Sequence, residues 1–122
     1  MAERADRLVT FVRRRAGDGV RVVGTYADEA YELHYVRDDL EEERVRQALA
    51  QVHRNLTAGR EDESLLRERL GSESASVQLR RDGVVLHLRS EGAGAILSLE
   101  RGVARNLDMF SQQCLDVMYG SR

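Results

Sequence analysis

The sequence predicts an α+β fold: a single five-stranded, mainly antiparallel sheet with helices packed on it. Three observations predict it. The apolar spacing switches between helical and alternating periods in the order α-β-β-α-(α)-β-β-β-α. The last three strand-like runs are separated only by Asp82-Gly83 and Glu91-Gly92, both short turn signals. The length of 122 residues is near the commonest domain size, and no linker within it is long enough to divide it, so 1–122 reads as one domain.

The elements follow in order. From Glu3 to Ala16, Ala5, Leu8, Val9 and Val12 recur at helical spacing, with Phe11 widening the stripe. Arg13, Arg14 and Arg15 fall in the last turn, where cations favour the helix macrodipole, and Gly17 stops the helix. Val20 to Tyr26 is β-branched and reads as a strand. After a turn at Asp28 and Glu29, Ala30 to Arg37 alternates, placing Tyr31, Leu33 and Tyr35 on one face and Glu32, His34 and Val36 on the other. Asp38 or Asp39 is expected to cap the next helix, with Glu42 completing an approximate capping box. Val45, Ala48, Leu49, Val52 and Leu56 form that helix's apolar stripe, and Gly59 ends it. Ser64 to Leu70 is a short helical piece whose Leu65, Leu66 and Leu70 are expected to lid the core. Ala75 to Arg81, Val84 to Ser90 and Ala93 to Leu99 are strands, with Ile96 facing opposite Ala95 and Leu97. Asp82-Gly83 predicts a type I′ turn, whose two central residues both need positive φ. Val103, Leu107, Phe110, Cys114, Val117 and Met118 mark a closing helix from about Arg101 to Tyr119.

Composition narrows the function. All 19 basic residues are arginine, and 21 acidic residues bring the net charge to −2, so no general electrostatic pull toward nucleic acid is expected. A surface laced with arginine–carboxylate pairs is the plainer reading of that composition. Proline is absent, so no proline-rich linker is expected. The longest uncharged run, Gly92 to Leu99, is too short to cross a bilayer; no membrane association and a cytoplasmic location are expected. The single cysteine, Cys114, excludes an internal disulfide and sits in an apolar helical pattern, where a thiol acts as a small hydrophobe.

No residue is assigned a catalytic, cofactor-binding or metal-binding role, and no cofactor is expected. His34, His53 and His87 lack the H-x-x-x-H spacing of a preorganised metal site, and His34 and His87 would need neighbouring strands with matching faces. No serine stands in a Gly-x-Ser-x-Gly elbow. Gly92-Ala93-Gly94-Ala95 precedes a strand, where small residues mark close packing, and lacks the phosphate-loop core. The Arg13–Arg15 run, and Arg80-Arg81 beside a hairpin tip, are the only features favouring an anion or nucleic acid.

The stretch GDGVRVVGTYADEAYELHYVRDDL, Gly17 to Leu40, resembles a family of small uncharacterised proteins of halophilic archaea, with Tyr35 to Leu40 carrying most of the likeness. Val85-Leu86-His87, Ile96 to Leu99 and the helix through Phe110 and Cys114 extend it along the chain. That resemblance carries no functional residues over. The order of elements is also similar to the roadblock/dynein light chain fold in the profilin-like group. It implies a homodimer acting as an adaptor or as a regulator of a small GTPase. The expected function is therefore a non-enzymatic cytosolic adaptor or regulatory domain. The alternative is a small-ligand sensor with a pocket between sheet and helices, near Tyr31, Tyr35 and His87.

Overall fold

The computed structural model describes residues 2–28, 30–57, 64–103 and 107–120. Helix α1 (Ala2–Ala16) buries Ala5, Leu8 and Val12 completely, one stripe along its length. It ends where Gly17 turns left-handed at φ 56°, a conformation that a Cβ penalises. A short 3-10 turn at Gly17–Gly19 leads into β1 (Val20–Ala27). There follow β2 (Ala30–Val36), α2 (Glu42–Thr57), α3 (Ser64–Leu70), β3 (Ala75–Arg80), β4 (Gly83–Ser90), β5 (Ala93–Leu99) and α4 (Leu107–Tyr119). This is the α+β order expected from the periodicities.

The strands form one antiparallel sheet in the order β2-β1-β5-β4-β3. Strand β5 lies in the middle, flanked by β1 and β4. A strand covered on both faces needs apolar side chains at both parities. Accordingly Ala95, Leu97 and Leu99 join the core on one face and Ile96 the cluster on the other. Helices α1 and α4 cover the first face. Their Leu8, Val12, Phe110, Cys114 and Met118 meet Val23, Leu86, Leu88, Leu97 and Leu99 there. Each fully buried leucine stabilises the fold by about 1.5–3 kcal/mol relative to an exposed one. Helix α2 packs on the other face, where Leu49 meets Tyr26 and Ile96. Leu49 can seat because β1 carries Gly24 beneath it; a Cβ there would lie 2.9 Å from Leu49 Cδ2.

Several local expectations change. Strand β2 does not alternate strictly. Val23 pairs with Tyr35 but Gly24 pairs with Leu33, leaving His34 as an extra residue. The bulge sends Tyr35 to the α1/α4 core while Tyr31 and Leu33 pack under α2. The β3–β4 hairpin turns at Arg81-Asp82, because Arg80 pairs with Gly83. Neither Asp82 nor Gly83 has positive φ. Gly83 instead allows close approach to β5, since a Cβ there would lie 3.1 Å from the Leu99 carbonyl oxygen.

Asp39 does not cap α2, which begins three residues later at Glu42. Its carboxylate accepts from Arg37 Nε at 2.7 Å and Nη2 at 3.2 Å. Arg37 also donates to the Asp18 carbonyl at 2.8 Å and to Glu100 Oε2 at 3.1 Å, so one guanidinium ties together the ends of three segments. That pairing holds the Asp39 carboxyl below its ordinary value, with Arg37 the chief cause.

Helix α3 is not a lid. All seven of its residues are exposed, Leu70 by 80%. A seven-residue helix has two turns and cannot hold itself on a core without a buried stripe. Arg101–Val103 form a 3-10 turn instead of the start of the closing helix, whose described span is Leu107–Tyr119. Ala48 lies on the exposed side of α2. The expectations for Glu29 and Gly59, and for the side chains of Leu56 and Leu107, fall outside the described residues.

Burial decides which leucines matter. Leu97→Ala, in the doubly covered strand, is expected to lower unfolding free energy by about 2–5 kcal/mol in urea titrations. Leu66→Ala on α3 is expected to change the stability of the monomer by no more than about 0.5 kcal/mol.

Candidate functional site

Four ring side chains from four elements converge beneath α2: Tyr26 of β1, Tyr31 of β2, His53 of α2 and His87 of β4. Tyr26 and His87 stand on strands separated by β5, and the residue of β5 paired with Tyr26 is Gly94. A Cβ at Gly94 would lie 2.5 Å from Tyr26 Oη and 2.6 Å from the Leu88 carbonyl oxygen. Glycine therefore lets the phenol lie across β5 and meet His87 Nε2 at 2.7 Å. Tyr31 Oη lies 2.8 Å from His53 Nδ1, and the His53 ring sits 4.1 Å from that of Tyr26. A hydroxyl and a neutral imidazole can each give or accept, so each pair is satisfied in either tautomer. The cluster adds the His53–Tyr31 hydrogen bond to the aliphatic packing of Leu49 and Val52 that holds α2 on the sheet.

This geometry revises the sensor expectation. Tyr31 and His87 share the α2 face, but Tyr35 is on the opposite one. Tyr26 and His53 occupy the space between Tyr31 and His87. His34 points to the α1/α4 side, where its Nε2 lies 2.7 Å from Thr25 Oγ1. His34 and His87 thus stand on opposite faces. Tyr26 is not singled out by the sequence, and His53 is weighed there as a metal ligand, not as a partner of Tyr31. Their signal was the Tyr26–Gly94 pairing, which requires the strand order.

The arginine run has structural partners. Arg13 lies over the Tyr35 ring at 4.7 Å and Arg15 over Phe110 at 5.6 Å, with Arg15 also donating to Gln113 Oε1. Arg14 borders a groove along Thr10, Phe11 and Val117. Cys114 is fully buried, and burial pushes its thiol up to about 12, Arg15 pulling weakly the other way. A thiol so placed is protonated at neutral pH and shielded. Native Cys114 is expected to react with a disulfide reagent on the order of a hundredfold more slowly than the urea-unfolded chain.

The two edges of the sheet differ. β2 is interrupted by its bulge, whereas β3 pairs regularly with β4 from Ala75↔Leu88 to Arg80↔Gly83. Its outer surface carries Val77 and Leu79, 41% and 63% exposed. Upstream, through Gly71–Ser74, α3 displays Leu65, Leu66 and Leu70. Among the described residues, no three His, Cys, Asp or Glu side chains gather to hold a metal ion, and no helix is long and apolar enough to cross a membrane.

An antiparallel five-stranded sheet with helices on both faces defines an α+β protein whose most distinctive surface is an apolar strand edge. Within that class, the chain belongs to the family described as Domain of unknown function (DUF7522), whose model matches residues 6–119. No curated protein matches the chain.

The histidine cluster gives a pH dependence with a definite sign. Burial chiefly, and Arg89 secondarily, hold His53 below its ordinary value of 6.5. Above that value His53 is neutral in both folded and unfolded chains and carries no cost. As pH falls through it, the unfolded chain takes up a proton that the folded chain resists, and stability drops until the lower folded value is passed. The urea midpoint is expected to fall between about pH 7.5 and about pH 5.5, and to fall less in His53→Gln.

Proposed function

We propose that this chain is a non-enzymatic adaptor or regulatory domain that acts as a homodimer, with β3 of one copy pairing antiparallel to β3 of another. The observation that carries the reading is the contrast between the sheet edges. Folded proteins protect edge strands with bulges, charges or covering elements. β2 has a bulge; β3 is regular and carries two exposed aliphatic side chains. Antiparallel pairing of one edge with itself satisfies a two-fold axis, each copy offering the same patch.

Two short strands alone bury less than the ~1,200 Å² of a stable interface. The exposed leucines of α3, joined to β3 through Gly71–Ser74, are apolar side chains available to add to it. The resemblance of the element order to roadblock domains supports the same reading, since proteins of that fold commonly homodimerise and act as adaptors or regulators of small GTPases. A small GTPase is accordingly the partner class proposed. A cytoplasmic location accompanies this reading, and the buried Cys114 thiol suits a reducing compartment.

Light scattering after size exclusion tests it. At tens of micromolar or so, the wild-type mass is expected to be that of a dimer, since interfaces of this class hold at such concentrations. Val77→Arg with Leu79→Arg is expected to give a monomer whose urea midpoint matches wild type at equal concentration once dimer linkage is allowed for. A wild-type monomer at that concentration, or an unchanged dimer in the double variant, overturns the proposal.

A further inference from the structure

On the α2 side of the sheet, next to the ring cluster through Val85, a groove is lined by Arg21, Arg80, Arg81, Asp82, Val85 and Ser98. Strand order and register put these residues together. β1, β5, β4 and β3 lie side by side, Val85 pairs with Ser98, and Ser98 pairs with Val22. Arg21 is the extra residue of a bulge, because Val20 pairs with Leu99 while Val22 pairs with Ser98. Arg80 ends β3 on the same face as Gln78, whose partner is Val85. Adjacent strands are about 4.8 Å apart, so Arg21 and Arg80 start roughly 14 Å apart across β5 and β4. Two extended arginines can close that distance over Ser98 and Val85.

The groove gathers three arginines in one place. Arg37, Arg44, Arg46 and Arg89 all pair with carboxylates. Among the described residues, none of Arg21, Arg80 and Arg81 forms an ion pair; Arg80 donates from Nε to the neutral Gln78 Oε1 at 2.8 Å. Three neighbouring arginines thus converge on one groove whose lining carboxylate is Asp82, and Arg21 also interacts electrostatically with Asp39, the partner of Arg37.

The geometry points to a binding site for a phosphate monoester, held by the Arg21 and Arg80 guanidinium groups. Three arginines and one aspartate leave about two positive charges, and a phosphate monoester carries about −1.5 to −2 at neutral pH. Planar guanidinium forks match phosphate oxygens two at a time, and arginine, unlike lysine, keeps that geometry in a half-open site. Ser98 supplies a hydroxyl donor between the two forks. Val85 offers an apolar shelf for the organic part of the ligand. The site adjoins β3 but uses its α2-side residues, so it does not rest on the self-pairing of Val77 and Leu79.

Calorimetric titration with inorganic phosphate and with adenosine 5′-monophosphate tests the assignment. Both are expected to bind at one site, and Arg21→Gln or Arg80→Gln to weaken each at least about tenfold. Both arginines are outside the hydrophobic core, so the variants are expected to keep the wild-type urea midpoint. Binding is expected to weaken between about pH 7.5 and about pH 5.5 as the phosphate takes up its second proton. Vesicles with monophosphorylated headgroups separate a lipid-borne source from a free one, and binding through Arg21 and Arg80 in either form supports the site. No saturable binding of either small phosphate at about 10 mM, weaker than any specific interaction of this kind, overturns it. So does binding that is unchanged in the Arg21→Gln, Arg80→Gln double variant, or binding confined to single-stranded oligonucleotides.

Discussion

The pairing of β1 with β5 holds the fold together. The other strand neighbours, β1–β2, β3–β4 and β4–β5, are hairpins joined by short turns, whereas β1 and β5 are separated by most of the chain. Closing that separation costs chain entropy before any contact returns it. The ladder from Val20↔Leu99 to Ala27↔Ala93 must therefore be well supported. Backbone bonds extend it at both ends, from Glu100 N to the Gly19 carbonyl and from Asp28 N to the Gly92 carbonyl, each at 2.8 Å. Helices α1 and α4 pack against each other across this seam, so the main core and the seam stabilise the same long-range join.

The two faces solve burial differently. The α1/α4 face is an aliphatic interior of leucine and valine. The α2 face has one fully engaged leucine, Leu49, and completes its contact with hydrogen-bonded rings. A polar network in a low-dielectric setting is strong when its members are paired and costly when they are not. Gly94 makes that pairing possible, because the absence of a Cβ there leaves room for the Tyr26 side chain to cross β5 to β4. The second face is thus specified by geometry more than by hydrophobic area.

Arginine, the only basic residue type besides histidine, serves three physical purposes. Arg13 and Arg15 cover aromatic rings at the end of α1. Arg37 joins three segments through directed hydrogen bonds. Arg21, Arg80 and Arg81 face an open groove that they share with Asp82. Guanidinium suits all three settings because it is flat, permanently charged and rich in donors. Position relative to the sheet, rather than residue type, separates these roles.

Much of the architecture was legible in the chain. Element order, the glycine stop after α1, the Glu91-Gly92 turn and the opposed faces of Ile96 and Leu97 all follow from local spacing, because helical and strand periods are properties of neighbouring residues. The helical pattern at Leu65 to Leu70 was legible too, but not its failure to bury anything, since a stripe does not name the surface it meets. The β2 bulge was hidden because an extra residue leaves no mark in an alternating run until the partner strand sets the count. The Tyr26–His87 contact, the Tyr31–His53 contact and the Arg21–Arg80 groove join residues far apart in sequence. By itself the sequence determined the elements and their amphipathic faces; tertiary structure alone decided which strands became neighbours. The physical reason is that period is local, whereas register and lateral strand order depend on which distant surfaces bury one another.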